Sequence, residues 1–203
     1  MDVALTLGIV AVGGHILASV IYNWRIFQGD LMPKSATWAL WFILTALNML
    51  TYREMTHDPA KWMPTLACAA ATGVTFGLCL YWKRLKWPEP WEWFVLFMGV
   101  LAGCIWLLFR HATGANLIIV GATTLAFWPL YQGVWENPSV EKPLPWCIWT
   151  IVYGLMIAVI ALRWRGWNPE QVLELVYPIA GIIMHPIVVI LIFRKSRVLA
   201  PAQ

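Results

Sequence analysis

Charge is what this sequence has least of. Only 12% of its 203 residues are Asp, Glu, Lys or Arg, while 61% are hydrophobic, and the mean hydropathy is +0.68. Soluble domains carry about 25% charged residues. With half that fraction, a chain this apolar cannot cover its own surface in water. Lipid is the solvent that fits, which argues against a soluble enzyme. Acidic residues are scarcest, at ten, and no two share an apolar run, which counts against proton-coupled or hydrolytic chemistry. Cysteines number four, Cys68, Cys79, Cys104 and Cys147, all inside apolar runs and with no CxxC pair. They read as small buried thiols, not as metal ligands or disulfide partners. Cys68 and Cys79 lie eleven residues apart on one expected helix, ~16 Å at the α-helical rise, too far to bridge. Nucleotide-loop, HExxH and nucleophile-elbow patterns are absent, and no cofactor is expected. No basic stretch precedes the first apolar run, so that run is expected to stay as a span and not to be cleaved as a signal.

What is present is a set of seven apolar runs: Val3–Tyr22, Thr37–Tyr52, Trp62–Trp82, Trp93–Phe109, Ala115–Trp135, Pro145–Leu162 and Gln171–Phe193. Each approaches the ~20 residues a helix needs to cross a bilayer. Trp and Tyr gather at their ends, as in an aromatic belt. The second run is the shortest. The last contains Glu174, Pro178 and Pro186, which predict a kink. The expected fold is therefore all-α: a polytopic membrane protein with seven transmembrane helices, whose partner is the lipid bilayer.

The net charge of +4 does not point to nucleic acid. Lys and Arg cluster between the runs, as in Lys83-Arg84-x-Lys86 and Arg194-Lys195-x-Arg197, in the manner of membrane-flanking anchors. With seven spans, five of the fourteen Lys and Arg fall on the side of the N-terminus and nine on the other. The positive-inside rule then places the N-terminus outside and the C-terminus in the cytoplasm of a cell (inner) membrane protein.

The chain also repeats. Shifted by 108 residues, Trp38 falls on Trp146, Trp41 on Trp149, Lys34 on Lys142, Gly13 on Gly121 and Gly73 on Gly181. Spans one to three overlay spans five to seven without gaps. This implies a duplicated three-helix unit, residues 1–87 and 113–203, joined by a linker helix within 88–112 that restores a parallel orientation. Parallel repeats of this sort place a transport site at their interface.

The stretch Tyr22-x-x-x-Ile26-x-x-Gly29-x-x-x-Pro33-x-x-x-Thr37-Trp38-x-x-Trp41, with its counterpart from Pro129 through Asn137-Pro138, Glu141 and Pro145-Trp146-x-x-Trp149, resembles the repeat motif of prokaryotic PQ-loop membrane proteins. The 3+1+3 plan is similar to that of the SWEET-like (MtN3-type) sugar facilitators, and nicotinamide riboside transporters share it. The Pro-Gln dipeptide is absent from both copies, and Pro129 faces Ile21 in the first. The resemblance implies a facilitative transporter of a small polar, sugar- or vitamin-like molecule, or a receptor or cargo-binding protein of the same fold that does not transport. An intramembrane enzyme or assembly subunit is a third possibility. Homo-oligomers are compatible with any of them.

Candidate site residues follow. Trp38 and Trp41, like Trp146 and Trp149, are spaced i, i+3 on one helix face. They read either as aromatic walls for a ring-shaped ligand or as interfacial belt residues. Asn48 lies deeper in the second span, where an amide must find a partner, either ligand or helix. His15 and His185 sit mid-span, as pathway residues or as neutral histidines bonded to backbone. Pro129, Pro178 and Pro186 are candidate gating hinges or static kinks. Gly73-x-x-x-Gly77 and Gly99-x-x-x-Gly103 fit close helix packing. A metal site at His57, Asp58 and His111 has little to favour it.

Overall fold

The computed structural model describes residues 2–31, 35–82, 87 and 90–196. Pro33 and Lys34 of the motif, the Lys83-Arg84-x-Lys86 cluster, Arg197 and the C-terminal Gln203 lie outside the described residues. Those described are almost wholly helical, with no strand among them. The helices are α1 (Val3–Phe27), α2 (Ser35–Thr56), α3 (Pro59–Tyr81), α4 (Pro90–Phe109), α5 (Ala112–Leu125), α6 (Trp128–Glu136), α7 (Pro143–Leu162), α8 (Pro169–Glu174) and α9 (Val176–Ser196), with a 3-10 turn at Pro138–Val140.

Each apolar run lies in one helix or in a broken pair. Six stretches are long and apolar enough to cross a membrane: α1, α3, α4, α5 with α6, α7, and α8 with α9. α2 has 22 residues, enough for ~33 Å, but is less apolar. Its buried face carries Thr37, Thr45, Asn48 and Thr51. Such groups are tolerated at membrane depth only when they face protein.

Capping fixes where the helices start. The Asp2 carboxylate accepts from the Ala4 and Leu5 amides, Asp58 from Ala60 and the His111 ring from Gly114, supplying acceptors that a helix start lacks. Asp58 and His111 are thus engaged as caps. Among the described residues no group of three His, Cys, Asp or Glu could hold a metal.

α1 shows how the core is sorted from the lipid face. Gly8, Ala11, His15, Ala18, Tyr22 and Ile26 recur every three or four positions and, with Ser19, are buried, whereas Ile9, Val10, Ile16, Leu17 and Val20 are exposed. The outward face is the more apolar one, inverting the soluble pattern. α3 lies between α1 and α2; α9 packs on α7 and reaches α5 and α6. Across the centre, α1 meets α7 and α2 meets α5, while α4 lies against α5 and α2.

Candidate functional site

At mid-depth, where α1, α2, α3, α5, α7 and α9 converge, lies a cavity of about 60 Å³. Its walls include His15, Trp38, Trp41, Phe127, Trp146, Trp149, Tyr153 and His185. All four tryptophans of the two WxxW pairs therefore line one space, although their ring atoms come from helices more than a hundred residues apart. Within each pair the rings meet edge to face with centroids 5.0 Å apart. Across the centre, Trp41 stands 6.2 Å from Trp146, and Phe127 completes the wall at 5.1 Å from Trp41 and 6.2 Å from Trp146. These are favourable aromatic geometries. They also leave little room. Sites for drug-sized ligands run about 300–1,000 Å³, so this conformation is closed around its centre.

Most polar side chains of the cavity wall are hydrogen-bonded, Thr45 to Thr72 and Tyr153 to Tyr177 among them, but two buried ones are not. His15 is 1% exposed, yet neither ring nitrogen has a hydrogen-bond partner among the described residues, and the same holds for Trp41 Nε1. A buried polar atom without a partner is uncommon and costly. His185 Nδ1 lies 2.8 Å from the Gly181 carbonyl oxygen. Since that oxygen can only accept, Nδ1 carries the proton and Nε2 the lone pair. The cavity thus offers both donors and acceptors, against flat aromatic faces, and among the described residues its walls hold no Asp, Glu, Lys or Arg.

Not every candidate comes to this cavity. Asn48 lies outside it: its Oδ1 accepts from Asn116 Nδ2 at 2.9 Å, and the same Nδ2 reaches Thr51 Oγ1 at 3.0 Å. It fills the interhelical role, joining α2 to α5. Pro129 falls at the start of α6, where Ala126 and Phe127 interrupt the span. Pro178 falls in the first turn of α9, after the break at Leu175. Pro186 is inside α9, one residue beyond His185.

Both ends above and below the cavity are fastened. At one end, Lys61 Nζ pairs with Glu174 Oε2 at 2.5 Å, with both side chains buried, and Tyr52 donates to the Glu174 carbonyl at 2.9 Å. Nearby, the Arg163 guanidinium bonds the Asp2 carboxylate and stands 3.2 Å from Asp58. At the other end, Glu141 accepts from the Tyr22 hydroxyl and from Trp146 Nε1, each at 2.9 Å, and Thr37 donates to Glu92 at 2.9 Å.

Several wall residues carry no pattern of their own in the sequence. Tyr153 and Phe127 are two aromatics among many, and Thr123 is simply the position that the 108-residue shift sets opposite His15. That correspondence was the available signal. Glu141 stands in the second copy of the motif but without a site role of its own, because a carboxylate between two apolar runs reads as a solvated loop. Compared with models of known families, with curated proteins and with solved structures, the chain matches none.

Proposed function

We propose that the protein is a facilitative carrier of a small polar molecule, built from two parallel three-helix bundles joined by α4, with α2 as the seventh span. The packing supports the duplication. α1 corresponds to α5 and α6, α2 to α7, and α3 to α8 and α9. Under that exchange the α1–α7 contact becomes the α2–α5 contact, and both are present. In each half the third span packs against the other two.

The observation that carries the function is the central cavity with its unpartnered polar atoms. Groups such as the His15 nitrogens and Trp41 Nε1 gain most from a ligand that enters and bonds them. A ring-bearing molecule with hydroxyl or amide groups would stack on the tryptophans and satisfy these atoms. Fastenings at both ends fit a carrier caught between its two open states. A cell membrane location with the N-terminus outside is part of the same proposal.

The test is tracer uptake into proteoliposomes, with radiolabelled glucose and nicotinamide riboside as first probes. Uptake by the wild-type chain is expected to fall about two- to tenfold in His15→Ala and in Trp41→Ala, one lost charge-free hydrogen bond being worth roughly 0.5–1.5 kcal/mol. Binding without flux would identify a receptor instead. Flux unaffected by either substitution would place the pathway elsewhere.

A further inference from the structure

Glu141 sits outside the cavity yet is joined to its wall. It occupies the turn before α7 and is 5% exposed. One carboxylate oxygen accepts from Tyr22 on α1, the other from the indole of Trp146 on α7. Trp146 lines the cavity. A single carboxyl therefore fastens α1 to α7 and holds a cavity-wall ring from behind.

Among the described residues its surroundings supply no counter-charge. The Tyr22 and Trp146 donors are neutral. Cys79 of α3 stands near Tyr22. On α9, which packs on the 3-10 turn, Arg194 is drawn over the ring of Trp135 at 3.6 Å. Glu136 at the end of α6 is exposed, and Lys142 is half-buried. No ion pair to Glu141 forms among the described residues. Removing an ionised carboxyl from water without a cation is costly, and the neutral acid avoids most of that cost. Burial accordingly pushes the Glu141 carboxyl from 4.5 up to about 7, against the opposing effect of its two hydrogen bonds.

We propose that Glu141 is a proton-binding site coupled to the opening of the cavity: the carboxyl takes up a proton as α1 and α7 close over it and returns it to water when they part. The proposal rests on the carrier function only in requiring a cavity that opens. Its sign is fixed by linkage. The closed, dry site binds the proton more tightly than an open, wetted one, so acid favours the closed form and alkali the open form. With the carboxyl at about 7 when closed and at its ordinary 4.5 when open, the bias toward opening grows about tenfold between pH 6 and pH 8. Opening at this end also releases a proton to that face of the membrane.

The native Cys68 lines the cavity and reports its opening without any knowledge of the substrate. Cys79, Cys104 and Cys147 are replaced by alanine, and a charged, membrane-impermeant methanethiosulfonate is applied to membrane vesicles from each face in turn. Dividing each rate by that of Glu141→Gln at the same pH removes the thiol's own titration. From the face nearer Glu141, this ratio is expected to rise about tenfold from pH 6 to pH 8, with Glu141→Gln slow throughout. Tyr22→Phe keeps the carboxyl but removes a donor to its ionised form, so its midpoint moves to higher pH. Should Glu141→Gln not fold, the Tyr22→Phe midpoint, referred to a free thiol, decides, and an unmoved midpoint overturns the proposal. A flat ratio also overturns it and leaves the carrier function standing. Absence of labelling from either face at any pH means that the cavity does not open, which overturns both.

Discussion

An amide in an apolar helix is held by whichever polar group lies at its own depth. Asn48 is seven residues past Trp41, about 10 Å along the helix, and that displacement takes it from the cavity to Asn116 and Thr51. Asn116→Ala strands the Asn48 oxygen in a buried site, while the Thr51 hydroxyl keeps its bond to the Leu47 carbonyl, so it should cost about 1–3 kcal/mol, read as a lower melting temperature in detergent. Adding Asn48→Ala should cost less in that background than in the wild type; strictly additive losses would show that the two amides do not act together. His15 and His185 were legible in the sequence by depth alone, since each is the sole histidine of an apolar run. The WxxW pairs were legible by repetition. Asn116 and Glu141 were not, for opposite reasons: one begins a run and looks like its boundary, the other lies between runs and looks solvated. Burial of either is decided by a helix far away in sequence.

Hydrophobic run length located the long helices among the described residues, and the breaks inside the fifth and last runs come near prolines that the sequence displays. The broken fifth span ends α5 at Leu125 and restarts at Trp128, which turns Phe127 onto the cavity wall. How closely the helices approach is less visible, because glycines on the lipid face and at contacts look alike. A Cβ added at Gly8 would lie 2.5 Å from the Ala60 carbonyl oxygen of α3, and backbone cannot yield as a flexible side chain does. Gly8→Ala should therefore cost about 1–3 kcal/mol through separation of α1 from α3. At Gly13, five residues on, nothing lies within 4 Å, and alanine there should be neutral or stabilise by up to about 1 kcal/mol through helix propensity. Thermal denaturation of the two variants side by side checks the pair; equal melting temperatures would refute the close approach.

At the scale of the molecule, the two ends are closed by different chemistry: ion pairs at one, buried carboxyls accepting from Tyr22, Trp146 and Thr37 at the other. Lys61→Met should leave Glu174 buried without its cation and destabilise the fold by about 3–5 kcal/mol, whereas Lys61→Met with Glu174→Leu should recover most of the loss. Equal melting temperatures for the single and double variants would mean that the pair contributes little. The bonds that close the molecule also span the chain. The Tyr22–Glu141 bond crosses 119 positions, and Lys61–Glu174 crosses 113. At about 5–20 residues per second, ribosomal synthesis delivers Glu141 roughly 6–24 seconds after Tyr22. For that interval α1 stands in the bilayer with His15, Ser19 and Tyr22 turned toward helices that have yet to be made. The face that later closes the cavity is thus a face that the nascent chain must keep from lipid or from other proteins, and the cell's membrane-insertion machinery is the natural shelter for it.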